Sequence, residues 1–180
     1  MRNALMGIAL VGLLIAVPAV AADKLPRADE RFLKEAAQDN LAEVQLGELA
    51  QQRGGSDQVK EFGKRMAADH GKAVDELKQL ASQKGVALPT ALDRGHQREH
   101  DRLAKLSGAE FDRAYMKHMV KDHGKDVKAF DREATSGKDP DVKSWAARTL
   151  PTIKEHQAQA KQLLASVDGK ASPAASPRAR

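Results

Sequence analysis

Residues 66–74 read MAADHGKAV, and residues 119–127 read MVKDHGKDV. Six of the nine positions coincide, and the two copies lie 53 residues apart. Around each copy the apolar residues return every three to four positions, the period of an amphipathic helix. At 100° per residue, His70 falls at the centre of the stripe Val59, Phe62, Gly63, Met66, Ala73, Val74, Leu77 and Ala81, with Asp69 on its flank. His123 falls at the centre of the stripe Tyr115, Met116, Met119, Val127, Phe130 and Ala134, with Asp126 inside it and Asp122 at its edge. The repeated phrase therefore predicts two long helices that point a histidine inward.

Working outward, the same period covers nearly the whole chain, and nothing alternates as a strand does. The pattern predicts helices over residues 29–53, 57–84, 90–106, 109–135 and 140–165. Gly54-Gly55, residues 85–89, Ser107-Gly108 and Gly137 separate them. Ser56 suits an N-cap, and Asp139-Pro140 supplies an N-cap followed by proline at the first helical position. Pro151 lies inside the last helix and should bend it, because proline lacks an N–H and crowds the preceding turn.

A second repeat underlies the first. An offset of 83 residues lays 29–53 on 109–135 and 57–84 on 140–165. It pairs Lys34 with Lys117, Asp39 with Asp122, Val44 with Val127, Gly54 with Gly137, Val59 with Val142, Lys60 with Lys143 and Arg65 with Arg148. Phe32 meets Tyr115, Phe62 meets Trp145, and Glu43 meets Asp126. The expected fold class is all-α: a four-helix bundle of two antiparallel hairpins joined by a short crossover helix.

The bulk composition narrows the function. The 180 residues make one domain. Residues 1–22 have Arg2, an apolar run and small residues at Ala19-Val20-Ala21, the pattern of a secretory signal peptide cleaved near Ala21 or Ala22. This places the mature chain in the periplasm, with no transmembrane segment. The expected layout is signal peptide 1–22, linker 23–27, bundle 28–165 and disordered tail 166–180. The chain has no cysteine, so an exported form must rely on a packed core, and thiolate metal sites are excluded. The formal charge is +5, part of it in the leader and tail, and there are only six aromatic residues. Neither suggests nucleic acid.

Two further stripes complete the polar layer. Residues 140–165 place His156 among Val142, Trp145, Ala146, Leu150, Ile153, Ala160 and Leu164. Residues 29–53 place Asn40 and Glu43 among Leu33, Ala36, Ala37, Val44 and Gly47. Counted from the hairpin turns, and with side chains leaning toward the helix N-termini, Glu43, His70, His123, Asp126 and His156 should lie within about one helical turn of each other. Three imidazoles and two carboxylates in a bundle core suit a divalent transition metal, with zinc or copper the candidate ions. His96 and His100 are read as ordinary polar residues, because 90–106 is polar nearly all round, and His118 as an ordinary residue at the flank of its helix. The methionines at 66, 116 and 119 are read as packing.

The segments FLKEAAQDNLAEVQLGELA, VKEFGKRMAADHGKAVDELK, FDRAYMKHMVKDHGKDVKAFDREATSGKDPDVKSWA and LPTIKEHQAQAKQL together resemble a bacterial family of exported ferritin-like proteins, catalogued as a domain of unknown function and often labelled periplasmic or outer-membrane. The resemblance spans about residues 28–165 and implies the ferritin-like bundle without supplying an activity. Di-iron ferritins carry a Glu three residues before each His. Here Ala67, Val120 and Ile153 stand at those places, so a di-iron oxidase is not expected. No nucleophile–base set or phosphate loop is legible either. The alternative to metal binding is a non-catalytic envelope or stress-related interaction protein whose buried polar layer is structural only.

Overall fold

The computed structural model describes residues 24–170, and the expected signal peptide lies outside them. The fold is all-α. Five helices follow in order: α1 Arg27–Arg53, α2 Asp57–Gln83, α3 Arg94–Ala104, α4 Gly108–Ser136 and α5 Pro140–Lys170. Among the described residues no strand forms; Gly54 and Gly108 make one isolated bridge.

The long helices pack as two pairs, α1 with α2 and α4 with α5. Across the pairs α1 meets α4 and α2 meets α5, while α3 lies against α1 and α4. The backbones of α1 and α2 come close where both lack side chains. A Cβ on Gly47 would stand 2.5 Å from the carbonyl oxygen of Gly63.

Each pair turns over three residues, and an aspartate from the other pair holds each turn. Asp112 of α4 accepts hydrogen bonds from the N–H groups of Gly55 (2.8 Å) and Ser56 (2.9 Å). Asp29 of α1 accepts from those of Lys138 (3.0 Å) and Asp139 (2.6 Å). Both carboxylates are buried. Asp29 and Asp112 are 83 residues apart, as are the turns they hold. The offset also carries one aromatic contact onto another: Phe32–Trp145 at 6.0 Å and Tyr115–Phe62 at 6.1 Å.

The core is apolar at both ends and polar between. One cluster gathers Phe32, Leu77, Phe130 and Trp145. The other gathers Phe62, Met66, Phe111, Tyr115, Met116 and Met119, so these methionines do pack as apolar side chains. Asn40, Glu43, His70, His123, Asp126 and His156 fall between the clusters along their helices, and all are buried.

Two boundaries differ most from the sequence pattern. Helix α3 starts at Arg94 and not near residue 90, because the Asp93 side chain accepts from the N–H groups of Gly95 and His96 and caps the helix there. The preceding loop is instead tied to α1, where Gln38 bonds Ala91 O and the N–H of Asp93, each at 2.9 Å. Helix α5 continues through Pro151 and runs to Lys170, five residues past its expected end at 165. Val167 packs against the second cluster, and Asp168 pairs with Arg113 at 2.9 Å. Residues 171–180 lie outside the described part.

Candidate metal centre

Helices α2, α4 and α5 each deliver one histidine to a single point. Ring centroids are separated by 5.5 Å (His70–His123), 5.3 Å (His70–His156) and 5.5 Å (His123–His156). One ring nitrogen of each lies within 4.8 Å of those of the other two. The rings are 6%, 0% and 1% exposed, so bulk water does not serve them.

The hydrogen bonds decide which nitrogen of each ring carries its proton. Asn40 donates its Nδ2 to Ala36 O at 2.7 Å, which turns its Oδ1 toward His70 Nδ1 at 2.9 Å. His70 Nδ1 must therefore donate. His123 Nδ1 faces the carbonyl of Met119 at 3.1 Å, a pure acceptor, and donates as well. His156 Nε2 donates to Asp69 Oδ2 at 2.9 Å, and Arg65 Nε donates to that same oxygen at 3.2 Å. The remaining nitrogens, His70 Nε2, His123 Nε2 and His156 Nδ1, are buried with no hydrogen-bond partner. Each is a bare lone pair. Imidazoles that ligate metals commonly give their other N–H to a carboxylate, carbonyl or amide oxygen, and all three do so here.

Burial first, then the neighbouring imidazoles, keeps His70 well below its ordinary pKa. Burial and then His156 draw His123 down to about 4. His156 is also lowered by burial, against the pull of Asp69. All three rings are neutral at pH 7, the state a metal needs. An ion at ~2.0–2.1 Å from each nitrogen needs them about 3.3–3.6 Å apart, so side chains at the outer limit of their spacing would draw in by roughly 1 Å.

The two carboxylates expected in this layer are placed differently. Glu43 Oε1 stands 3.9 Å from His123 Nδ1, the nitrogen already bonded to Met119 O. Its carboxylate groups instead with His118 and Asp122, within 4.8 Å of both. Asp126 joins neither cluster. It lines a cavity of about 30 Å³ together with Asp39, Asn40, Asp69, His70 and His156. That is room for one or two waters. Asp39 and Asp126 also line a surface groove of about 1130 Å³ between α1, the loop after α2 and α4. The two aspartates thus stand between the groove and the cavity. Burial, then Asp122 and Asp39, raise Asp126 well above the usual carboxyl range.

Asn40 and Asp69 orient the rings although neither is a metal donor in the expected set. Asn40 was visible at the centre of its stripe and Asp69 beside His70, but only the folded partners give them a role. His118 is half-buried and not a flank residue in open water, because Glu99 of α3 covers it; Nδ1 lies 3.3 Å from Glu99 Oε1.

Residues 16–163 match the family described as "Domain of unknown function (DUF4142)". No curated protein matches the chain. Two solved structures share its fold. One is a DUF305 fragment from Deinococcus radiodurans, with TM-score 0.69 and 13% identity, covering 79% of this chain and 98% of that one. The other is the "putative secreted protein DUF305" of Streptomyces coelicolor, with TM-score 0.68 and 13% identity, covering 78% and 92%.

Proposed function

From the premise that the chain belongs to the DUF4142 family, we propose that it is an exported, periplasmic metal-binding protein. It holds one zinc or copper ion on His70, His123 and His156 within a ferritin-like four-helix bundle. The observation that carries this reading is the set of three buried, bare ring nitrogens converging from three helices, each with its opposite nitrogen tied to an oxygen. A polar network formed for packing alone would leave three lone pairs unsatisfied in the core, a cost of about 1–3 kcal/mol each. Three imidazoles without sulfur suit zinc or divalent copper.

The other parts have supporting roles. Asp126, with Asp39, lines the route between groove and cavity, where it can guide an arriving cation and hold a water beside it. The ferritin-like arrangement is supported by the 83-residue offset, the reciprocal aspartate caps and the pairing of long helices. Export is supported by the leader-like residues 1–22 and by the name of one structural neighbour. The proposed role is to hold or pass on metal.

The test is zinc and copper titration of untagged protein stripped with a chelator, followed by calorimetry. The expected result is one tight site that raises the melting temperature. His123→Ala should weaken it more than about 100-fold, beyond the usual effect of losing an orienting partner. His96→Ala should leave it intact. Equal zinc and copper binding by wild type and His123→Ala would sink the proposal and leave the structural polar layer in its place.

A further inference from the structure

We infer that the protein has a second cation site beside the first, built from Glu43, His118 and Asp122, and suited to a harder divalent ion of the manganese or ferrous type. This goes beyond the three-histidine site and shares no ligand with it. One donor atom from each of the three residues lies within 4.8 Å of the others. The independent sign of a ligand is Glu43. It is 1% exposed, and both its carboxylate oxygens are buried with no hydrogen-bond partner. A carboxylate in that position is costly unless protonated or bound to a cation. Among the described residues no basic side chain reaches it within ion-pair distance except the neutral His123, 3.9 Å away.

The surroundings fit a cation better than a proton. Asp122 faces the same space, and among the surrounding carboxylates its charge acts most strongly on Glu43. Two carboxylates pressed together from α1 and α4 repel unless a positive charge sits between them. His118 reaches in from one turn before Asp122, and its Nδ1 is 3.3 Å from Glu99 Oε1 on α3. A carboxylate beside one ring nitrogen is common behind ligating imidazoles. Lys125 holds Asp122 Oδ1 at 2.8 Å and so fixes the carboxylate's orientation. One imidazole with two carboxylates is a more oxygen-rich set than three imidazoles, which shifts preference toward manganese or ferrous iron.

The site is also reachable. Asp122 lines the large groove between α1 and α4, and His118 lines a separate surface groove with Glu99, Arg102 and Lys121. Two of the three residues therefore border surface grooves that His70, His123 and His156 do not line.

Manganese(II) chloride, followed by loss of the free-ion paramagnetic resonance signal, provides the test on the full mature chain. Wild type and His70→Ala should each take up one manganese ion. His118→Ala and Glu43→Gln should bind it at least ~10-fold more weakly, as expected when one of three donors is removed. His118 is half-buried at the rim, so its alanine variant should keep the fold; circular dichroism checks this. Manganese binding by His118→Ala equal to wild type overturns the inference, as does no uptake by wild type at about 1 mM metal. Zinc titration of the same variants separates the two sites. Unchanged zinc binding in His70→Ala would refute the three-histidine site and leave this one standing.

Discussion

The α1–α2 pair and the α4–α5 pair are built on one plan and equipped differently. Each folds back over a three-residue turn held by an aspartate from the other, Asp29 or Asp112. The α1–α2 pair contributes one aromatic to each end of the core, Phe32 and Phe62, and the α4–α5 pair contributes two to each, Phe130 with Trp145 and Phe111 with Tyr115. Yet the position that is Asn40 in α1 is His123 in α4, and the positions of His70 and His156 correspond to Ile153 and Ala73. The joints share their chemistry, while the centre differs: α4 and α5 each carry a histidine, and the α1–α2 pair carries one histidine together with Asn40 and Asp69 as hydrogen-bond acceptors. Asn40 offers no ring nitrogen; its Oδ1 accepts the proton of His70.

The joints should show the largest effect on stability. Asp112→Ala leaves the N–H groups of Gly55 and Ser56 without their acceptor, and Asp29→Ala does the same to Lys138 and Asp139. Each change should cost about 2–4 kcal/mol in chemical denaturation, from two charge-assisted hydrogen bonds. Similar costs sharpen the equivalence of the two pairs; a cost confined to one of them breaks it.

The centre should show in the pH dependence of the metal-free protein. His123 has a folded pKa of about 4 against an unfolded value near 6.5. A depressed histidine contributes stability that is complete above about pH 6.5 and lost as pH falls toward 4, because the unfolded chain takes the proton first. Glu43 and Asp126, raised by burial, act in the opposite sense and return stability over the same descent. Comparing wild type with His123→Asn, which gives α4 the residue of α1, cancels those shared terms to first order. Wild type should lose about 3 kcal/mol more than the variant between pH 6.5 and 4. Parallel pH profiles would show that His123 is not held neutral.

Smaller effects distinguish support from ligation. Asn40→Ala and Asp69→Asn should each weaken zinc binding by roughly 10- to 100-fold without abolishing it, since they only orient a ring. Calorimetry that finds either variant as damaged as His123→Ala would mean that the support is itself a ligand.

The smallest effect concerns glycines. A Cβ on Gly71, inside the repeated phrase, meets nothing within 4 Å, so Gly71→Ala should stabilise α2 by up to about 1 kcal/mol. Gly47→Ala should destabilise, because its Cβ would strike the backbone of α2. Opposite signs in thermal unfolding mark where the helices truly touch.

Helical periodicity, the three-residue turns and the inward direction of His70, His123 and His156 were legible because each depends on residues within a few turns of one helix. The start of α3 was misplaced because Asp93 outweighed the polar periodicity before it. The end of α5 was misplaced because the contacts of Val167 and Asp168 come from other helices. Glu43 was legible as a buried carboxylate, but not as a neighbour of His118, since that proximity spans two helices and depends on how α1 lies against α4.

The sequence by itself determined the all-α class and the buried polar layer, because a 3.6-residue period sets which side of a helix faces inward. Only the tertiary structure decided which side chains meet across that layer. Helix rotation and offset between pairs shift a side-chain tip by several ångströms, and that distance decides that Glu43 groups with His118 and Asp122 and not with the three histidines. It also decided the protonated nitrogen of each ring, which is set by Asn40, Met119 O and Asp69 as acceptors. Hydrogen-bond partners from a different helix are a property of packing, and no local pattern encodes them.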